Sequence, residues 1–230
     1  TVPYYYNISS NSDATLTPTL TADESIILGG EYRKKAKDGD FEARASIKQN
    51  SPADERTHPT ENGVSGIRGH ISAKGRFDYD QTWRWGFDVN RQSDETYMSR
   101  FGLNQDNTLP KITNALASKA YIEGFHDRNY IHAEALSFQT TLTGQKGTTI
   151  PVIFPLVDIN YVSEPDAYGA STTLDLNFLT LSRQKGTDTR RISARRGWNL
   201  PYVAPKGDVY NLSAKMIGDF YNTSGYEASG

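Results

Sequence analysis

The chain contains no cysteine. That excludes a disulfide framework, a thiolate zinc site and a cysteine nucleophile. No run of about 18 apolar residues occurs, and mean hydropathy is −0.64, too polar for helical membrane spans. Net charge is small: 25 basic against 27 acidic residues leave −2, so no global field draws nucleic acid or an anionic membrane surface. Catalytic signatures are missing as well. Neither G-x-S-x-G nor a P-loop is present, and His58, His70, His126 and His132 show no H-E-x-x-H spacing. Neither a cofactor nor a metal site nor a catalytic residue is expected. Convincing 3.6-residue periodicity is also absent; "LPKITNALASKAY" (109–121) comes nearest and runs into a strand pattern.

What the chain has is alternation with period two, segment after segment. "TWRWGFDVNR" sets Trp83, Trp85, Phe87 and Val89 on one face and Arg84, Gly86, Asp88 and Asn90 on the other. "DFEARASIK" sets Phe41, Ala43, Ala45 and Ile47 against Glu42, Arg44, Ser46 and Lys48. "IRGHISAKGRF", "TTLDLNF" and "YNLSAKMIGDF" repeat the pattern. About twelve strands are predicted, near 2–8, 13–21, 26–37, 40–50, 67–78, 81–93, 115–126, 129–141, 151–164, 169–185, 188–201 and 208–222. Polar, Gly-, Asn-, Asp- and Pro-rich connectors divide them, including 50–63 and 143–147.

Many of these strands reach about ten residues. Soluble strands average about 5–6, whereas tilted membrane-crossing strands need about 9–11. The polar faces carry Arg, Lys, Glu and Asp densely enough to line a wet lumen. The apolar faces mix Ala and Gly with aromatics, and aromatics such as Tyr4, Tyr79, Trp83, Tyr161, Trp198 and Tyr202 cluster near strand ends. The expected fold is all-β, an antiparallel transmembrane β-barrel segment. A soluble sandwich or barrel shares the alternation and stays open as an alternative.

The opening stretch "TVPYYYNISSNSDATLTPTL" reads as a hairpin with a proline in each strand, Pro3 and Pro18. Proline lacks the amide that completes a ladder. A regular register about the turn makes the two prolines near cross-strand neighbours, so that one short stretch of ladder carries both lost donors.

Pro3, Tyr4, Tyr5, Asn7, Ile8, Asp13, Ala14, Thr15, Thr17 and Pro18 stand at the spacing of a motif in the LPS-assembly family LptD, also called Imp or OstA, which this chain resembles. "LGGEYR" (28–33), "WRWGFDVNRQSDETYMSRFG" (83–102), "PLVDINYVSEP" (155–165) and "GTDTRRISARRGWNLPYVAPKGDVYNLSA" (186–214) extend the likeness in the same order. "ISSN" stands where many relatives read "IAPN", which alters the turn and leaves both strand prolines in place.

The resemblance implies an outer-membrane barrel of a Gram-negative bacterium that delivers lipopolysaccharide to the outer leaflet, a transporter component and not an enzyme. Residues 1–230 would be the N-terminal portion of the barrel, a piece cut from a longer protein, without the jelly-roll domain and the closing strands. Its partners would be lipopolysaccharide, an LptE-like lipoprotein plug, the periplasmic lipopolysaccharide bridge reached through the absent jelly roll, and outer-membrane lipids. Pro3 and Pro18 would weaken a lateral gate. Arg68, Lys74, Arg84, Arg191 and Arg195 would be lumen contacts for lipopolysaccharide phosphates, because Arg forks match phosphate oxygens; pairing with nearby acids is the ordinary role of such residues. A passive porin or uptake barrel and a soluble β-sheet binding protein are the rival functions.

Overall fold

The computed structural model describes residues 1–20, 26–49, 66–103, 115–142, 144 and 147–225. Twelve strands run through them: β1 (Tyr4–Ser9), β2 (Ser12–Leu20), β3 (Ile26–Ala36), β4 (Gly39–Gln49), β5 (Ile67–Asp78), β6 (Trp83–Gln92), β7 (Ala115–His126), β8 (Asn129–Thr140), β9 (Val152–Val162), β10 (Ser171–Ser182), β11 (Asp188–Val203) and β12 (Val209–Ser224). They form one sheet in sequence order, β1 to β12. Every strand predicted from alternation is present. The connector at 50–63 and residues 109–114 lie outside the described residues, as do three positions of 143–147. No described helix is long and apolar enough to cross a membrane, which says nothing of strands.

Contacts divide the chain into two units, one of Thr1–Asp78, Gly86–Ala120 and Ser137–Ile150, the other of Tyr79–Trp85, Tyr121–Leu136 and Pro151–Gly230. In the first unit the register stacks alternating residues into rows. Leu16 faces Gly30, Gly30 faces Ala45 and Ala45 faces Ile71. One step along, Pro18, Leu28, Ile47 and Gly69 form the next apolar row. Between them lies a row of the opposite face in which Thr17 faces Gly29, Gly29 faces Ser46 and Ser46 faces His70, and on the far side of the first row Glu31 faces Arg44 and Arg44 faces Ser72. Side chains of period two must fall this way once strands pair directly.

In the second unit, Asn160, Asp175 and Arg195 share a polar row, and Tyr161, Leu174 and Arg196 belong to the other face. Trp83 lies flat against Gly124: a Cβ there would stand 2.8 Å from the indole ring. Glycine at that position lets the ring approach the backbone.

The apolar side chains do not gather into a core. Leu16, Leu28, Ile47, Ile71, Trp85, Met216 and Phe220 are all exposed. The buried hydrophobic cluster is small, Tyr97, Met98 and Leu116 with Phe101 and Leu103 against it. It is built on a single-turn helix, α1 (Tyr97–Arg100), which the sequence pattern did not predict.

Candidate functional site

The opening hairpin is irregular. Tyr4 pairs with Leu16, Tyr6 with Ala14 and Asn7 with Asp13, but Ser9 pairs with Ser12, a one-residue shift between Asn7 and Ser9. That shift breaks the symmetry expected about the turn. Pro18 lies inside β2 and faces Leu28 of β3. Pro3 lies one residue before β1, and its continuation in register falls opposite Thr17 rather than Pro18.

The two missing amides point in different directions. Lys35 donates its amide to the Asn11 carbonyl at 2.8 Å. Alternate residues of an antiparallel strand bond to alternate neighbours, so odd-numbered residues of β2 bond to β3 and even-numbered ones face β1. Pro18 therefore costs the β2–β3 ladder nothing and withholds a donor from the β1 side. Tyr4 and Tyr6 then bond to β2, while Tyr5 and Asn7 turn their backbone groups to the outer edge of β1. Pro3 shares that parity and withholds its donor from the outer edge. The β1–β2 pairing stops at Tyr4 and Leu16; beyond it the Thr1 and Thr19 hydroxyls meet at 3.3 Å.

Each of the five predicted cations has its own partners. Arg68 is fully buried beneath the segment 93–103. Its Nε donates to Asp94 Oδ2 at 2.8 Å, and its Nη2 donates to Asp94 Oδ1 at 2.5 Å and to the Thr96 hydroxyl at 3.0 Å. The guanidinium lies 5.6 Å from the Tyr97 ring and 5.5 Å from the Phe101 ring. Burial alone would raise the Asp94 carboxyl, but hydrogen bonds from Arg68, Ser93 and Thr96, with the Arg68 charge, hold it at about 2.

Beside this pair the Ser46 hydroxyl bridges His70 Nδ1 at 2.6 Å and the Tyr97 hydroxyl at 2.7 Å. Burial raises the Tyr97 phenol above its ordinary value. Lys48, 1 % exposed, sits 4.5 Å over the Phe101 ring. Arg68 Nη1 and His70 Nε2 are buried with no hydrogen-bond partner among the described residues.

The other four predicted cations are on the surface of their strands or paired within them. Lys74 pairs with Glu42 at 3.3 Å. Arg84 pairs with Glu123 at 3.5 Å and covers the Phe125 ring at 4.8 Å. Arg191 donates to Asn177 Oδ1 at 2.5 Å. Arg195 faces Asp175 in register and lines a polar pocket of about 300 Å³ with Asp158, Asn160 and Asn177. The pocket walls are mixed carboxylate, amide and guanidinium, so it is not an anion site of one sign. Among the described residues no three His, Cys, Asp or Glu side chains group as a metal site requires.

Long antiparallel strands in sequence order, one face exposed and apolar and the other polar and cross-linked by hydrogen bonds, define a β-barrel segment of the membrane-spanning kind. The LptD family, LPS transport system D, matches residues 66–230. The chain belongs to that family. The LPS-assembly protein LptD of Escherichia coli strain K12 is 24 % identical to it over 227 residues, covering 96 % of this chain and 27 % of the relative. The proteins of the same name from Shigella boydii serotype 4 and Shigella flexneri match at the same identity and coverage. The chain thus spans 27 % of the length of these relatives.

Proposed function

We propose that this chain is part of the wall of an outer-membrane barrel that inserts lipopolysaccharide into the outer leaflet. The family match across residues 66–230 carries the reading. The passive-porin and soluble-protein alternatives draw no support from it. The exposed apolar face is then the bilayer face, and the polar face lines the lumen. Transport, not chemistry on the lipid, is the task. An LptE-like lipoprotein would fill the lumen, and a periplasmic bridge would deliver the lipid through a jelly-roll domain elsewhere in the protein.

In this reading Pro3 and Pro18 loosen the lateral gate. A net backbone hydrogen bond contributes about 0.5–1.5 kcal/mol. Withholding one donor from each side of β1 leaves that strand weakly held on both flanks, so it can part from either neighbour. Of the five predicted cations, Lys74 and Arg195 are the exposed ones, open to a passing phosphate. Arg68 is committed to Asp94 and belongs to the architecture rather than to the lipid path.

The test is surface lipopolysaccharide in cells whose full-length protein carries Pro3→Ala and Pro18→Ala together, compared at matched barrel levels. Reduced surface delivery with normal barrel insertion is expected. Unchanged delivery would return both prolines to the ordinary role of protecting a sheet edge.

A further inference from the structure

The apolar face of β2–β6 is not evenly covered. Gly30 and Ala45 lie side by side in the row between Leu16 and Ile71, and they floor a groove of about 670 Å³ walled by Leu28, Ile47 and Ile67. Among the described residues no atom lies within 4 Å of where a Gly30 Cβ would stand. The groove is not a packing defect between side chains; it is space that the sequence leaves open by placing the two smallest residues side by side.

One end of the groove carries a charge. The Ser93 amide donates to the Gly69 carbonyl at 2.8 Å, which sets Arg91 beside Ile71 in the same row. Arg91 lines the groove and stands on the apolar face of β6, next to the end of that strand. Its Nη2 donates to the Ser137 hydroxyl at 2.5 Å and its Nη1 to the Asn90 carbonyl at 3.2 Å. Neither partner is a carboxylate, and two bonds leave donors of the guanidinium over for a further acceptor. From β2 to β6 the groove crosses four strand spacings, roughly 19 Å, the reach of one extended acyl chain.

We propose that this groove holds one acyl chain of a glycerophospholipid whose phosphate is paired with Arg91. The occupant is set by complementarity: one apolar channel takes one chain, and one guanidinium at its end takes one phosphate. A lipid with many chains and several phosphates would leave most of them without a channel or cation in this groove. The proposal rests on the bilayer reading of this face.

The full-length protein is placed in phosphatidylethanolamine nanodiscs. Three photoreactive probes are compared, each with a diazirine on one chain: phosphatidylethanolamine, the matching diacylglycerol without phosphate, and lipid A. Attachment sites are mapped by mass spectrometry. The phosphatidylethanolamine probe should attach to the groove around Leu28 and Ile47 well above its attachment at Val89. Diacylglycerol should attach about tenfold less, as should phosphatidylethanolamine to Arg91→Gln, while Arg91→Lys keeps part of the signal. Gly30→Ile should fill the groove without a clash and abolish attachment there. Equal attachment at Val89, insensitivity to Arg91→Gln, or preference for lipid A would each overturn the proposal. Attachment nowhere on the apolar face would overturn the bilayer reading with it, which separates the two failures.

Discussion

Arg68 grips Asp94 through two parallel hydrogen bonds, Nε to Oδ2 at 2.8 Å and Nη2 to Oδ1 at 2.5 Å. The guanidinium comes from β5 and the carboxylate from the segment after β6, so the pair ties that segment to the polar face of the sheet. A buried charge that loses its partner destabilises by about 3–5 kcal/mol. Asp94→Ala should therefore cost about that much in denaturant unfolding of the full-length protein. Combining Asp94→Ala with Arg68→Leu should recover much of the loss, because it removes the stranded charge too. Equal losses in the single and double variants would show that the pair itself is not what holds the segment.

Acid tests the same pair in another way. The Asp94 carboxyl is held at about 2, below its ordinary value of 3.8. A carboxyl depressed by folding contributes stability above its unfolded value and loses it as pH falls through the folded one. The contribution, up to about 2 kcal/mol, should be complete above about pH 4 and gone below about pH 2. Asp94→Asn should remove this portion of the acid sensitivity, measured as the difference between the two unfolding curves across that window.

Gly124 and Trp83 form a ring-on-backbone contact. A methyl at 124 would stand 2.8 Å from the indole, closer than carbon contacts tolerate, so something must shift, and the ring is expected to. Gly124→Ala should destabilise the barrel by about 1–3 kcal/mol. Fluorescence of a full-length version in which every tryptophan other than Trp83 is replaced by Phe, Trp85 and Trp198 included, should report the displaced ring. An unshifted spectrum would mean the backbone, not the ring, gives way.

Pro3 and Pro18 face opposite sides of β1, so their single substitutions should act separately. Pro18→Ala adds a donor toward β1, and Pro3→Ala adds one toward the outer edge. Hydrogen exchange on the full-length barrel should find a protected new amide at position 18 in the first variant and at position 3 in the second. If either substitution protects both sides equally, the alternation of donors along β1 and β2 is not as described.

The strands and their two faces were legible because period-two alternation needs no tertiary information: Trp83, Trp85, Phe87 and Val89 cannot share a face any other way on a strand. The register of the first hairpin was not, since the shift between Asn7 and Ser9 depends on how the turn closes. The fate of Arg68 was half legible. Its place on the polar face follows from its parity with His70 and Lys74, but its burial depends on the segment 93–103 folding back. Tyr97, Met98 and Phe101 do show one turn of helical spacing, and Asp94 accepts from the Thr96 amide and hydroxyl at 3.2 and 2.9 Å, as a turn-forming Asp does. One turn is too short to stand out against the strand pattern on either side.

Burial divides the ion pairs of β4 and β5 into two classes that ionic strength would separate. Lys74, 58 % exposed, meets Glu42 in contact with solvent, where mobile ions screen the attraction over about 3 Å at 1 M salt. Arg68 has no exposed surface and Asp94 little, so dissolved ions cannot enter between them. In brine Lys74 and Glu42 would lose much of their mutual attraction while the fastening of the 93–103 segment kept its strength. A saline habitat would thus weaken the solvent-facing pair without releasing what is folded against the sheet.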